Sequence, residues 1–301
     1  MAAQVVQAKA LPAAGLLAAL LTVLCWAGFL LSLRFGISGD YNQGTLLLMR
    51  FLPGFLLLAP VWWRIGFFPT GVKRLHVLII ILGSGPFFFL LMSGGLAIAP
   101  ASDAGALGPG ILPLLIAITS FLVLNESFSR LRILGFLAIL IGGLTIGGWE
   151  ALTGGPEGAW HGHILIVTAV SAWACYTVAF RLSGLTPLEG AALTMLWSAP
   201  VLLPLAWGLG VTTGDAGIGG IIAMTATQGI LTGLIALLTF GQAVKLLGAS
   251  RTAAFTALTP VLVLLGGNLL LGEPLDGVKI AGIFIVSAGV FLASGVLEDH
   301  A

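Results

Sequence analysis

The sequence predicts an all-α polytopic membrane protein whose ten transmembrane helices form two inverted five-helix repeats. Three observations lead to this prediction: the composition, the spacing of the apolar blocks, and a self-similarity at one fixed offset. Of the 301 residues, 58% are hydrophobic and 8% are charged, whereas a soluble domain has about 25% charged residues. A soluble globular protein is therefore excluded, and the long apolar blocks exclude a highly charged disordered chain.

The apolar blocks define ten spans, because a bilayer core of about 30 Å requires about 20 apolar residues per helix. Charged and turn-forming residues mark where each block ends. No connection between the blocks is long enough for a soluble domain. In chain order, the predicted spans 1 to 10 cover residues 13–34, 44–63, 75–98, 104–124, 131–149, 162–180, 188–208, 218–243, 253–271 and 278–297.

The cations predict the orientation of these spans. An excess of Lys and Arg at short loops marks the cytoplasmic side of a membrane protein. A cytoplasmic N-terminus places Arg34 and Lys279 outside and Arg50 within span 2. We therefore expect both termini in the cytoplasm. The nine cations on that side are Lys9, Arg64, Lys73, Arg74, Arg130, Arg132, Arg181, Lys245 and Arg251.

An internal repeat appears when the chain is compared with itself at an offset of 147 residues. Each copy, 1–149 and 150–301, contains five spans. An odd number makes the second copy enter the membrane from the opposite side, so the halves are inverted. Inverted repeats are typical of secondary transporters, and a duplication kept only as a scaffold is the alternative. The matching pairs are Trp26/Trp173, Arg34/Arg181, Gly94/Gly241, Pro113/Pro260, Glu126/Glu273, Ile133/Ile280, Gly135/Gly282 and Gly142/Gly289.

The ends of spans 4 and 9 carry one shared pattern. A proline precedes a glutamate with twelve residues between them, and a glycine-rich helix follows. With these residues the chain resembles the EamA branch of the drug/metabolite transporter superfamily over nearly its whole length, and most of all the YddG type of amino-acid exporter. The resemblance implies efflux of amino acids or similar metabolites through a central cavity, with spans 5 and 10 as packing elements. The pattern is Pro113 to Glu126 in PLLIAITSFLVLNE, then Gly135 and Gly142, and Pro260 to Glu273 in PVLVLLGGNLLLGE, then Gly282 and Gly289.

Three large side chains are candidates for substrate binding. Arg50 lies about 9 Å inside the outer end of span 2 at 1.5 Å per residue. It would either bind a substrate carboxylate or a helix-end carbonyl, or extend to the outer interface. Trp26 and Trp173 lie about 12 Å deep, near the midplane where transporter sites lie. They would pack against a substrate and offer its ammonium a cation–π contact, with ordinary interhelical packing as the alternative.

Uncharged polar residues and helix breakers complete the predicted site. Span 8 carries Gln228 and Thr232, and Ser84 and Tyr176 are similar candidates. Their groups can bind amino and carboxyl groups without carrying charge, although interhelical hydrogen bonds would explain each of them too. In span 4, Gly108, Pro109 and Gly110 predict a gating hinge, because proline removes a backbone hydrogen bond. A kink needed only for packing is the alternative.

Acidic residues and histidines are expected to lie outside the membrane interior. All 11 Asp and Glu and all four His fall at span ends, in loops or at the C-terminal tail. Proton coupling through a buried carboxylate is therefore not expected. His161 and His163 are predicted to be interfacial. Glu126 and Glu273 are predicted to stabilise the turns before spans 5 and 10 through the helix dipole. No metal site or cofactor is expected, because the sequence contains neither a ligand cluster nor a phosphate-binding loop.

Together these features predict an inner-membrane exporter of amino acids, neutral and aromatic ones included, that works by alternating access and has no enzymatic activity. The substrate would bind among spans 1, 3, 4, 6, 8 and 9. Membrane lipid is the surrounding partner, a homo-oligomer would form through spans 5 and 10, and the net charge of +1 indicates no nucleic acid. The alternatives are a carrier of anionic metabolites or sugar-nucleotides, a membrane enzyme acting on lipid-linked substrates, and a scaffold subunit.

Overall fold

The computed structural model describes residues 12–153, 158–247, 252 and 255–297, and the regular structure within them is helical. Ten helical segments match the ten predicted spans one to one. Several are broken, and the breaks are given with the bounds. They are α1 (Ala13–Ser38), α2 (Gln43–Leu57, continued by Ala59–Ile65), α3 (Arg74–Ser84 and Pro86–Ile98), α4 (Ala101–Gly105, Ala106–Gly110 and Leu112–Leu124), α5 (Arg130–Thr153), α6 (Ala159–Ser183), α7 (Pro187–Leu209), α8 (Ile218–Thr225, Ala226–Ile235 and Ala236–Leu247), α9 (Leu258–Leu271) and α10 (Gly277–Ala293).

Most of these helices have the length and the apolar composition of a membrane span. Six of the described helices are long and apolar enough to cross a bilayer, and α2 with its continuation, bent by 73°, makes a seventh. Large apolar side chains cover the outward surface, such as Leu269, Leu122 and Leu203, which are 78%, 71% and 70% exposed. A surface of this kind is stable only in lipid. The protein is therefore a polytopic membrane protein, as the sequence predicts.

The helix breaks fall where glycine and proline predict them, with one exception. Pro86 starts the second half of α3 after Gly85, and Pro109 lies in a π-helical turn of α4. The exception is the π-helical segment Ala226–Ile235 of α8, which contains no proline. Its Gly229 packs so closely on α2 that a Cβ there would lie 2.6 Å from the carbonyl oxygen of Met49. Short π-helical segments often mark functional sites.

The inverted repeat is visible in the packing of α5 against α10. A Cβ on Gly135 would lie 2.7 Å from Gly289 O, and a Cβ on Gly142 would lie 2.7 Å from Gly282 O. The repeat offset relates the two pairs: Gly282 lies 147 residues after Gly135, and Gly142 lies 147 residues before Gly289. The two helices therefore cross about a pseudo-two-fold axis, with their glycine faces against each other. The boundary between the repeats at residues 149 and 150 stays a prediction.

Contacts near the helix ends show which helix ends lie together at one end of the molecule. Glu273, which precedes α10, contacts Arg34 near the end of α1 and Ala101 at the start of α4. We call this end the predicted outer end, from the orientation that the cations favour. Lys9 and Arg251, which support that orientation, lie outside the described residues.

Candidate functional site

A cavity opens between α1, α2, α3, α4, α6 and α8, and both repeats contribute to its wall. Its volume is about 80 Å³, enough for several water molecules at about 10–15 Å³ each. Most of the wall is apolar, with one cationic side chain and one hydroxyl. The lining residues are Trp26, Phe29, Leu30, Arg50, Phe88, Met92, Gly108, Pro109, Leu112, Val170, Trp173 and Thr232.

Arg50 reaches this cavity from α2 and is anchored on α8. Its Nη1 donates a hydrogen bond of 2.8 Å to the carbonyl oxygen of Gln228 and another to Thr232 Oγ1. Its guanidinium carbon lies 4.9 Å from the centre of the Phe29 ring. The side chain therefore turns into the protein, and the alternative in which Arg50 extends to the outer interface is wrong.

The guanidinium keeps hydrogen-bonding capacity that the protein does not use. Arginine has five N–H donors, and within the described parts of the chain only Nη1 of Arg50 has hydrogen-bond acceptors. No described Asp or Glu forms an ion pair with it. The Arg50 guanidinium lies in an apolar cavity and has no carboxylate partner among these residues. It is therefore suited to bind an anionic group of a ligand.

Local backbone structure explains how Arg50 approaches α8 so closely. Gly229 lets the π-helical segment pack on α2, and a Cβ on Gly233 would lie 3.8 Å from Arg50 Nη1. The carbonyl of Gln228 accepts from Thr232 Oγ1 at 2.8 Å as well as from Arg50. The π-helical segment thus presents a carbonyl and a hydroxyl that hold the guanidinium at the cavity wall.

The two tryptophans of the repeat both reach the cavity wall. Trp26 stacks on Phe240 with ring centres 5.7 Å apart. Trp173 packs against Phe88 at 4.8 Å and Tyr176 at 5.2 Å. Aromatic neighbours hold both indoles in place, so each offers a fixed surface to a ligand. Their contact with a substrate stays a prediction.

The remaining predicted residues lie beside the cavity and do not line it. Ser84 Oγ lies 2.8 Å from Thr194 Oγ1, in an interhelical hydrogen bond. Tyr176 packs against Trp173 and Phe180 of its own helix, and it lies against α3, where a Cβ on Gly83 would be 2.5 Å from Tyr176 Cβ. The side chain of Gln228 is fully buried and donates to Ser32 Oγ at 2.7 Å, while its Oε1 has no hydrogen-bond partner among the described residues. Contacts between helices thus involve all three side chains, and their contact with a substrate stays a prediction.

The predicted hinge lies partly on the cavity wall. Gly108 and Pro109 line it. Gly110 does not, and a Cβ there would lie 2.5 Å from Val286 Cγ1 of α10. A Cβ on Gly108 would meet nothing closer than 4.0 Å. The π-helical turn is therefore tightly packed on the side of α10 and open on the side of the cavity.

Six apolar lining residues were not predicted, because aliphatic and Phe side chains carry no signal of their own in a membrane helix. Helical spacing would have found them: residues three or four positions from a predicted site residue share its helix face. They are Phe29 and Leu30 near Trp26, Val170 near Trp173, Leu112 near Gly108, Phe88 four residues from Ser84, and Met92 four residues further along the same helix.

Asp103 lies at a helix end, as the sequence predicts, but it is fully buried within the protein. α4 begins at Ala101, and Asp103 lies in its first turn with none of its surface exposed. His163 Nε2 lies 3.0 Å from Asp103 Oδ2, and Lys279 Nζ lies 3.0 Å from Oδ1. His163 is 8% exposed and Lys279 is 9% exposed. His163 is thus buried, because α6 and α10 cover the start of α4, and its position at the membrane interface stays a prediction.

Ion pairs related by the repeat lie at both ends of the molecule. Arg34 Nε lies 3.9 Å from Glu273 Oε1 at the predicted outer end, and Arg181 Nη2 lies 3.0 Å from Glu126 Oε1 at the other end. Each pair joins one repeat to the other. Glu273 also accepts from the backbone N–H groups of Ala101 and Ser102, at 2.6 and 3.1 Å. It therefore stabilises the N-terminus of α4 in the other repeat. Its stabilisation of the turn before α10 stays a prediction.

Comparisons with known proteins agree with this architecture. The EamA-like transporter family matches residues 13–148 and 160–295, one match per repeat. YyaM, an uncharacterized transporter of Bacillus subtilis (strain 168), is 29% identical over 262 residues, which cover 81% of this chain and 83% of that protein. A probable amino-acid metabolite efflux pump of Salmonella typhimurium is 28% identical over 180 residues, 56% of this chain and 60% of that protein. A solved crystal structure with 19% identity superposes with a TM-score of 0.64 over 93% of this chain and 96% of its own, which supports the fold. The chain therefore belongs to the EamA-like transporter family and is a membrane transporter, not an enzyme.

Proposed function

We propose that the protein exports amino acids or related small metabolites across the bacterial inner membrane by alternating access. Arg50 is the observation that carries the proposal. Its guanidinium lies at the cavity wall, and Nε and Nη2 have no hydrogen-bond partner among the described residues. A carboxylate that met these two nitrogens would gain paired, charge-assisted hydrogen bonds.

The aromatic part of the wall fits the rest of an amino acid. Trp26 and Trp173 come from equivalent positions of the two repeats, and both line the cavity with Phe29. Indole faces attract an ammonium group through cation–π interactions, and they bury apolar side chains without selecting one shape. Broad specificity for neutral and aromatic amino acids follows from such a wall.

The charge of the wall disfavours the alternative substrates. Arg50 is the only charged residue in the described lining. A sugar-nucleotide or another multiply anionic metabolite would require several cations to replace its hydration, because each unpaired buried charge is costly. A monocarboxylate requires one. The name of the Salmonella relative, a probable amino-acid metabolite efflux pump, is consistent with this choice.

The orientation and surroundings of the protein belong to the same proposal. Nine of the 12 cations mark the cytoplasmic side, so both termini are cytoplasmic and the predicted outer end faces the periplasm or exterior. Lipid surrounds the apolar outer surface. The glycine faces of α5 and α10 pack on each other within one chain, so a homo-oligomer through these helices would use their opposite faces, where Leu144 and Phe284 are exposed.

Counterflow in proteoliposomes tests the proposal. Vesicles containing purified protein are loaded with an unlabelled amino acid and diluted into a trace of the labelled compound, with empty vesicles as the control. The proposal predicts transient accumulation of neutral and aromatic amino acids and none of a nucleotide sugar. Accumulation of the nucleotide sugar alone would support the anionic-metabolite carrier. No accumulation of any solute would overturn the proposed substrates.

A further inference from the structure

Three ionisable side chains meet inside the protein, away from the cavity. Asp103 of α4 is bonded on one oxygen to His163 of α6 and on the other to Lys279 of α10. All three are at least nine-tenths buried, with exposures of 0%, 8% and 9%. We call them the buried triad. Ionisable groups within a membrane protein are costly, so they usually mark a site with a function, proton relays among them.

Stability alone is a weak reason for such a cluster. Two buried opposite charges gain little over apolar side chains of similar size, because both must be removed from water. A histidine adds an imidazole, which can bind and release a proton at a ring nitrogen. The triad thus contains a proton-exchanging group that an Asp–Lys ion pair lacks.

The triad has two protonation states. When Asp103 is ionised, Nε2 of His163 can donate its hydrogen to Oδ2, and a proton added to the imidazole raises the charge of the cluster by one. Because the group is buried against α6 and α10, this change alters the electrostatic balance between the two repeats at their contact with α4.

The triad shares two helices with the substrate cavity. Asp103 precedes Gly108 by five residues on α4, and His163 precedes Val170 by seven on α6. These separations correspond to about 8 and 10 Å along a helix. The π-helical turn of α4 lies between the triad and the cavity-lining residues that follow it. A change at the triad therefore acts on a helix that already contains the predicted hinge.

Other ionisable groups near the triad, among the residues that the structure describes, have contacts of their own. Glu273 binds the first backbone N–H groups of α4 and lies beside Arg34. Asp276 accepts from the backbone of Val278 at the start of α10, and His161 stacks on Trp160. The segments Leu258–Leu271 of α9 and Pro86–Ile98 of α3 carry no ionisable residue. The side chains of Glu150 and Glu157 lie outside the described residues.

We propose that Asp103, His163 and Lys279 form a proton-binding site that couples export to the proton gradient. The proposal rests on the proposed function and replaces the expectation that no buried carboxylate takes part in coupling. In each cycle His163 takes up a proton on the outer side and releases it to the cytoplasm, while the substrate moves outward. No covalent bond changes, and the downhill proton supplies the driving force.

Gradient-driven accumulation in proteoliposomes tests the coupling. With the membrane potential clamped at zero, vesicles with an acidic lumen should accumulate labelled amino acid above equilibrium, because protons leave as substrate enters. A one-to-one exchange limits the accumulation to about tenfold per pH unit. In His163→Gln, which keeps a donor to Asp103, accumulation should fall to the level measured without a gradient, while counterflow persists. His161→Gln, on the same helix but exposed, is the matched control and should behave as wild type.

The outcomes separate the coupling from the function. Wild-type counterflow without gradient-driven accumulation overturns the coupling and leaves the export function intact, as does full gradient-driven accumulation in His163→Gln. Absence of wild-type counterflow overturns the proposed function, and the coupling with it. If His163→Gln loses counterflow, the double variant Asp103→Asn with Lys279→Met, which removes both opposite charges, takes its place. If that variant also fails, addition of amino acid to wild-type protein in weakly buffered detergent decides: proton release near neutral pH supports the site, and an unchanged pH refutes it.

Discussion

Replacement of Arg50 by glutamine separates substrate recognition from structural support. The variant Arg50→Gln removes the charge and the planar fork but keeps a donor on α2. The Gln228 carbonyl keeps its hydrogen bond from Thr232 Oγ1 at 2.8 Å, so no buried acceptor is left without a partner. The loss of two hydrogen bonds and of the contact with Phe29 lowers the free energy of unfolding by about 1–3 kcal/mol. We expect the variant to fold.

The loss of substrate affinity should be larger and specific to the carboxylate. Hydrogen bonds to a charged group contribute about 1.5–3 kcal/mol, so the half-saturation concentration for phenylalanine should rise roughly 10- to 150-fold. The assay is counterflow with phenylalanine and with phenethylamine, which lacks the carboxylate. Arg50→Gln should weaken the first and leave the second unchanged. Arg50→Lys should lie between wild type and Arg50→Gln, because an ammonium cannot bind a carboxylate at two points.

Two results would refute this reasoning. Equal losses for phenylalanine and phenethylamine would show that Arg50 supports the cavity wall without touching the carboxylate. Unchanged affinity for both, with normal folding, would show that substrate binds elsewhere.

Three further predictions concern the cavity wall, the hinge and the interface between the repeats. Trp173→Ala should raise the half-saturation concentration for aromatic amino acids by about 10-fold or more, since aromatic pairs contribute about 0.5–1.5 kcal/mol beyond the area they bury; an unchanged value in counterflow contradicts an aromatic wall. Gly108→Ala should fold normally and transport slowly, because the π-helical turn must move during transport; a normal transport rate argues against a hinge. Gly110→Ala should lower the thermal stability in detergent, because its Cβ would lie 2.5 Å from Val286 Cγ1. Gly142→Leu should lower the melting temperature by separating α5 from α10, and an unchanged melting temperature contradicts the close packing of these helices.

The fold could be predicted from the sequence because lipid leaves few alternatives. A membrane-spanning chain must satisfy its backbone within helices, so apolar length and loop charge determine where each span begins and ends. The offset of 147 residues also relates contacts. Arg34 pairs with Glu273, and their counterparts in the other repeat, Arg181 and Glu126, pair with each other. The π-helical segment of α8 was not predictable, since it depends on how Gly229 packs against a helix distant in sequence.

The candidate site was predictable only in part. Trp26, Trp173 and Arg50 are large or charged at a depth where such residues are conspicuous, and all three line the cavity. Asp103 was assigned to a loop because it lies at a helix end, and sequence does not show that α6 and α10 cover that end. One signal was available. The two cations on the predicted outer side, Arg34 and Lys279, are the ones that pair with Glu273 and Asp103, so departures from the charge rule indicated buried acids.

A structure determined with a bound aromatic amino acid tests the central claim most directly. The account predicts a single ligand in the cavity, its carboxylate within hydrogen-bonding distance of the Arg50 guanidinium and its ring against Trp26 or Trp173. A ligand bound outside this cavity, or one whose carboxylate points away from Arg50, would contradict the account.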